Sequence, residues 1–168
     1  MVLNLEYLEA AAYIAVISTC ATLVWHRDAA PPTRALAQSV AGKPLKLRGV
    51  QWSNTRINVV VAMRSDCHFC QESLPYFREL TKLSAGKPVS IIMVSPENKS
   101  VFAKFLNDAG LWPNVVIADT PLSSFGVSGT PAMFLVDGKG TVRRALVGKL
   151  GADGQDYLTK VVESGPIV

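Results

Sequence analysis

The chain has 168 residues, 49% of them hydrophobic and 18% charged, with a formal net charge of +4. That composition suits one globular domain with an adequate core plus an apolar appendage. Its basic residues are scattered without aromatic interleaving, which argues against a nucleic-acid partner. The three cysteines are Cys20, Cys67 and Cys70, a close pair and a distant single rather than a disulfide framework. A zinc site wants about four ligands. Without a second Cys-x-x-Cys, and with only His26 and His68 to add, the sequence argues against a metal site.

The first feature in chain order is Ala10 to Trp25, which carries no charge, with Leu8 and Tyr13 extending its apolar character. At about 16 residues it falls slightly short of the roughly 20 expected of a membrane span. Trp25 suits one interface, and Glu9 the opposite headgroup level. The segment reads as an N-terminal membrane anchor over residues 1–26, contacting the bilayer through residues 8–25. Two other readings stay open. One is a cleaved signal peptide, since Ala35-Leu36-Ala37 has the small-x-small form of a cleavage site. The other is a buried core helix. Cys20 lies inside the run, where a free cysteine behaves as a small hydrophobe.

Residues 27–43, with Ala29-Ala30-Pro31-Pro32-Thr33, read as an extended linker to a domain over residues 44–165. Orientation is contested within the sequence. Arg27, Arg34, Lys43, Lys46 and Arg48 follow the apolar run, which by flanking charge alone would keep the domain in the cytoplasm. A tethered Cys-x-x-Cys domain is more useful where disulfides form and need handling. The expectation is therefore a single-pass protein of a bacterial cytoplasmic membrane, its domain facing the periplasm.

Within the domain, Leu45, Leu47 and Val50 alternate with Lys46 and Arg48, predicting a half-exposed first strand. Ile57 to Met63 is apolar and rich in β-branched residues, the pattern of a strand buried on both faces. A helix carrying Leu74, Phe77, Leu80 and Leu83 runs to about Lys82–Ser84, and Gly86-Lys87-Pro88 breaks the chain. Val89 to Val94 is a second buried strand. Ser95-Pro96-Glu97 opens a helix with Val101, Phe102, Phe105 and Leu106 on one face, closed by Gly110. Val115 to Ala118 is a short strand, and Thr120 to Phe125 a brief helix or turn. Ala132–Val136 and Thr141–Val147 form a hairpin about Asp137-Gly138-Lys139-Gly140. The last helix runs from Asp153 to about Glu163, with Tyr157, Leu158, Val161 and Val162 inward. Strands alternating with helices, then a hairpin and a helix, indicate an α/β domain with helices on both sheet faces.

The chemistry concentrates in Arg64-Ser65-Asp66-Cys67-His68-Phe69-Cys70-Gln71-Glu72. Two cysteines three positions apart at a strand-to-helix junction make a redox motif. Orphan backbone N–H groups and the helix dipole there favour the thiolate of Cys67. Cys70, one helical turn on, is close enough to close a small disulfide and release a bound partner. No cofactor is expected beyond that Cys67–Cys70 disulfide. The expected partners are protein thiols and disulfides, with a membrane or soluble thiol carrier as electron donor.

The Cys67-His68-Phe69-Cys70 junction followed by Pro75, and Gly126-Val127-Ser128-Gly129-Thr130-Pro131 before a hairpin, resemble thioredoxin-fold proteins. The additional strand and helix before Pro131 resemble the membrane-anchored TlpA/ResA-like (redoxin) branch, or the related peroxiredoxin-like group. The resemblance covers about Pro44 to Glu163. It implies a central mixed sheet with an extra strand–helix insertion. It also implies that Cys67 is the exposed nucleophile and Cys70 the resolving cysteine. Pro131 would be a cis-proline facing the disulfide, and Thr130 the residue whose backbone pairs with an incoming peptide.

Departures from the family pattern are also visible. Val61 replaces the buried acid six positions before Cys67, and Ser73 replaces a Glu three after Cys70, with Glu72 beside it. Asp66 and Phe69 stand where Trp and Pro are usual. Glu72 is then either a proton shuttle for Cys70 or a first-turn carboxylate complementing the dipole. His68 and Arg64 are candidate tuners of the redox poise, with Asp66 opposing them. Two competing functions remain. A peroxiredoxin-like peroxidase wants Thr or Ser three residues before its cysteine, where Arg64 stands. A tethered client-binding module would leave both cysteines idle.

Overall fold

The computed structural model describes residues 40–52 and 57–164. In chain order these form β1 (Ile57–Ala62), α1 (His68–Leu83), β2 (Val89–Val94), α2 (Lys99–Asp108) and β3 (Val115–Ile117). A 3-10 helix (Leu122–Phe125), β4 (Ala132–Val136), β5 (Val142–Val147) and α3 (Ala152–Ser164) follow. The anchor and most of the linker lie outside the described residues. Among the described residues no helix is long and apolar enough to cross a membrane.

The strands make one mixed sheet in the order β3-β2-β1-β4-β5. β1 runs parallel to β2 and antiparallel to β4. Its Val59, Val60 and Val61 are fully buried, as β-branched residues of a central strand should be. Alternation along the strands feeds two cores. Val59, Val61, Ile91, Met93, Met133 and Leu135 face a core closed by Phe77 and Leu80 of α1, Phe102 and Leu106 of α2, and Leu158 and Val162 of α3. Val60, Ala62, Ile92, Val94, Phe134 and Val136 face the other, closed by Leu45, Leu47, Phe125 and Val127. The two faces are covered unequally. Among the described residues all three α-helices share one face, and the other carries the 3-10 helix and residues 40–52.

The strand expected around Leu45–Val50 is corrected. Leu45 and Leu47 are buried as their alternation requires, but the segment joins the sheet only at a bridge between Pro44 and Thr141. Backbone bonds from Gly42 N–H to Val142 O (2.8 Å) and from Leu45 N–H to Gly140 O (2.8 Å) strap it to the β4–β5 hairpin. Trp52 lies so close over Gly140 that a Cβ there would come within 2.6 Å of the indole. In α2, Phe102 and Leu106 are buried and Phe105 packs beside them, while Val101 is exposed. One apolar stripe of a short helix is narrower than the four residues assigned to it.

The topology places the chemistry. β4 is antiparallel to β1, with Ala132 opposite Ala62, so the start of β4 lies beside the end of β1. Pro131, just before β4, is thereby brought to the mouth of α1, just after β1.

Candidate active site

β1 ends at Ala62, and the turn Arg64–Asp66 hands the chain to Cys67, the N-cap of α1. Its φ of −89° and ψ of 116° are extended, as N-caps require. In place of a hydroxyl, the Cys67 Sγ accepts from the Cys70 backbone N–H at 3.3 Å. The Cys67 thiol donates to the Thr130 carbonyl oxygen at 3.2 Å. The Thr130–Pro131 peptide is cis, with Pro131 buried beneath the site. Both cysteines are reduced, Cys67 partly exposed and Cys70 fully buried.

The two thiols are electrostatically unequal. Partial burial pushes the Cys67 thiol up, but hydrogen bonds from the Cys70 and Thr130 side chains and from the Cys70 and Phe69 N–H groups outweigh it. The net result is a Cys67 held below the ordinary thiol value. Burial, reinforced by the hydrogen bond with Cys67, pushes Cys70 up to about 12. The surroundings thus favour the thiolate at Cys67 and the protonated thiol at Cys70.

The remaining candidates are placed as follows. Arg64 makes a bidentate pair with Asp66, at 2.9 and 2.6 Å, so each largely cancels the other's field at Cys67. His68 and Glu72 sit one turn apart, with Nε2 3.1 Å from Oε1. Glu72 also receives Lys149 Nζ at 3.1 Å from the segment after β5. The Lys149 hydrogen bond leads the causes that hold the Glu72 carboxyl below its usual range. Glu72 thus faces outward between His68 and Lys149 rather than inward to Cys70. It lies beyond the first turn, so the expected dipole pairing is replaced by this ion-pair bridge. Phe69 is 54% exposed beside the sulfurs, its ring 5.6 Å from that of His68. A cleft of about 300 Å³ is lined by Arg64, Pro96, Leu122, Val127, Ser128 and Thr130 among others. Among the described residues no cluster of three metal-ligating side chains occurs.

A group that sequence reading passed over is Glu97, between β2 and α2. The Ser65 N–H donates to both its oxygens at 3.2 and 3.0 Å, and the Ser65 hydroxyl donates to Oε1. Its position just before a helix gave the only local signal, and that signal suggested a helix opening instead.

With the geometry established, the chain can be set against known proteins. The family model described as Redoxin matches residues 27–159. The chain belongs to the redoxin family. Thiol-disulfide oxidoreductase ResA of Geobacillus thermodenitrificans is 32% identical over 87 residues, 50% of each chain. ResA of Bacillus thuringiensis is 27% identical over 124 residues, 71% of this chain and 70% of its own length. Within the redoxin family these relatives are thiol-disulfide oxidoreductases of the ResA kind. The match thus spans half the length of the first relative and more of the second. A thiol:disulfide interchange protein of the thioredoxin family from Chlorobium tepidum superposes with a TM-score of 0.55 at 20% identity, covering 66% of this redoxin and 82% of that chain. That structural likeness shows the thioredoxin-like fold, with the mixed sheet expected from the sequence.

Proposed function

We propose that this redoxin exchanges its Cys67–Cys70 dithiol with disulfides of polypeptide clients. The observation that carries the proposal is the Cys67 sulfur at the α1 N-cap, 3.2 Å from the Thr130 carbonyl, with Cys70 buried one turn behind. The Cys67 thiolate attacks one sulfur of the client disulfide. That S–S bond breaks, a client thiolate leaves, and a mixed disulfide forms. Cys70 then attacks the Cys67 sulfur, and its proton passes to the second departing client thiolate. The first client thiolate takes up from solvent the proton that Cys67 released on ionising, so the client gains two electrons and two protons and the protein is left with a Cys67–Cys70 disulfide. An external dithiol carrier must reduce that bond before the next cycle. In an oxidising direction the same steps run backwards.

The proposal includes an N-terminal anchor through residues 8–25 and a domain outside the cytoplasmic membrane, where client disulfides persist. The uncharged run Ala10 to Trp25 supports the anchor. The ResA relatives support the client class. The exposed ring of Phe69 and the mixed polar and apolar cleft at Thr130, whose carbonyl meets the Cys67 sulfur, offer an extended chain a resting place.

The test is catalysed reduction of insulin disulfides by dithiothreitol, followed by turbidity. The parent protein should accelerate precipitation, and Cys67→Ser should fall to the uncatalysed rate. Equal rates for the two proteins would remove the proposal.

A further inference from the structure

Glu97 lies 30 residues beyond Cys67 in the chain, yet its carboxylate closes on the turn that presents that cysteine. It accepts from Ser65 through both the backbone N–H and the hydroxyl. It also accepts from the Ser95 hydroxyl at 3.0 Å, and the Glu97 N–H returns a bond to Ser95 Oγ at 3.3 Å. Ser95 is fully buried, with its N–H on Ile117 O at 2.9 Å and its carbonyl on Thr120 N–H at 3.1 Å. The Glu97 carbonyl accepts from Asp119 N–H at 2.8 Å. Asp119 holds a positive φ of 52°, a conformation uncommon outside glycine and asparagine-like residues. On the far side of the same turn, Gln71 Nε2 of α1 donates to Ser65 O at 2.8 Å.

The loops leaving β1, β2 and β3 at the active-site end are therefore laced together, and Glu97 is the knot. The geometry points to Glu97 as a positioning residue: by gripping Ser65, it holds the Arg64–Asp66 turn so that the Cys67 sulfur stays at the N-cap of α1 and against Thr130. This inference rests on Cys67 being the attacking sulfur proposed above. A glutamate is suited to the task because two oxygens can serve three donors at once, and hydrogen bonds to an ionised acceptor are the stronger kind. Its charge by itself works the other way, disfavouring a thiolate nearby. Geometry and charge therefore predict opposite effects and can be separated by substitution.

The measurement is the pH dependence of iodoacetamide labelling at Cys67, resolved by peptide mass spectrometry on the full chain. The charged or titrating groups about Cys67 are Arg64, Asp66, His68, Cys70 and Glu97, and only the last is changed. Glu97→Asp keeps the charge but is one methylene too short to reach Ser65. Glu97→Gln keeps the reach and an acceptor oxygen but loses the charge. The inference predicts that Glu97→Asp raises the midpoint by about half a pH unit or more, slowing labelling at neutral pH roughly threefold. It predicts that Glu97→Gln stays at or below the parent midpoint. Any other pattern overturns it: no rise in Glu97→Asp, as from a merely structural role, or a rise in both variants. The parent profile separately tests the reading beneath: an ordinary midpoint for parent Cys67 would count against the activated nucleophile, whatever the variants do.

Discussion

Cys70→Ser protein is expected to accumulate covalent adducts with client polypeptides, visible on non-reducing gels and released by dithiothreitol. Cys67→Ser protein is expected to form none. The asymmetry follows from access. A client disulfide can reach Cys67, which is partly exposed, but not Cys70, which has no exposed surface. Attack therefore places the client on Cys67, and only Cys70, one helical turn behind, is near enough to displace it. Serine at position 70 fills the same space without a competent nucleophile, so the cycle stops after its first half. Should Cys70→Ser capture nothing while the parent protein turns over, Cys67 would not be the sulfur that clients meet.

The second large effect is in labelling. Cys70, pushed up to about 12 by burial and by its bond to Cys67, lies some three pH units above an ordinary thiol at 9.0. At neutral pH its thiolate fraction is then roughly a thousandfold below that of a free cysteine. Cys67 is shifted the other way, so its midpoint falls below the ordinary thiol value. The sign is fixed by the thiolate being the reactive form. Cys67 labelling is lost as pH falls through its lowered midpoint, and Cys70 labelling begins only as pH rises toward 12. Reduced protein titrated with iodoacetamide between pH 5 and 9 should carry one adduct, on Cys67. Comparable labelling of both cysteines near pH 8 would contradict the unequal pair.

These two results bear on residues that the sequence displays openly. Val59–Val61, Ile91–Val94 and Phe134–Val136 are runs too apolar for anything but buried strands, so β1, β2 and β4 are closely legible in the order of residues alone. The Cys67 N-cap follows from that placement, because a strand ending near Met63 and a helical stripe beginning near Leu74 leave little room for another arrangement. Thr130 facing Cys67 is reached through family resemblance, and the antiparallel pairing of Ala62 with Ala132 supplies its physical reason.

What escapes the sequence is long-range. Alternation at Leu45 and Leu47 reports which side chains are buried, and a strap bonded to Gly140 and Val142 satisfies it as well as a ladder does. Glu72 invites comparison with Cys70 and the helix dipole because both are near in sequence. Its actual partner Lys149 is 77 residues away. Glu97 and Ser65 are 32 apart with no local pattern joining them. A carboxylate that serves a turn on another strand looks, in one dimension, like any acid before a helix.

The central claim is that Cys67 and Cys70 act as one two-electron couple. Equilibrating the protein across dithiothreitol redox buffers and counting free thiols by mass would test it most directly. The account predicts a single reversible transition in which both thiols disappear together, with a slope of about 30 mV per decade. Two independent transitions, or thiols that never pair across the range, would contradict it.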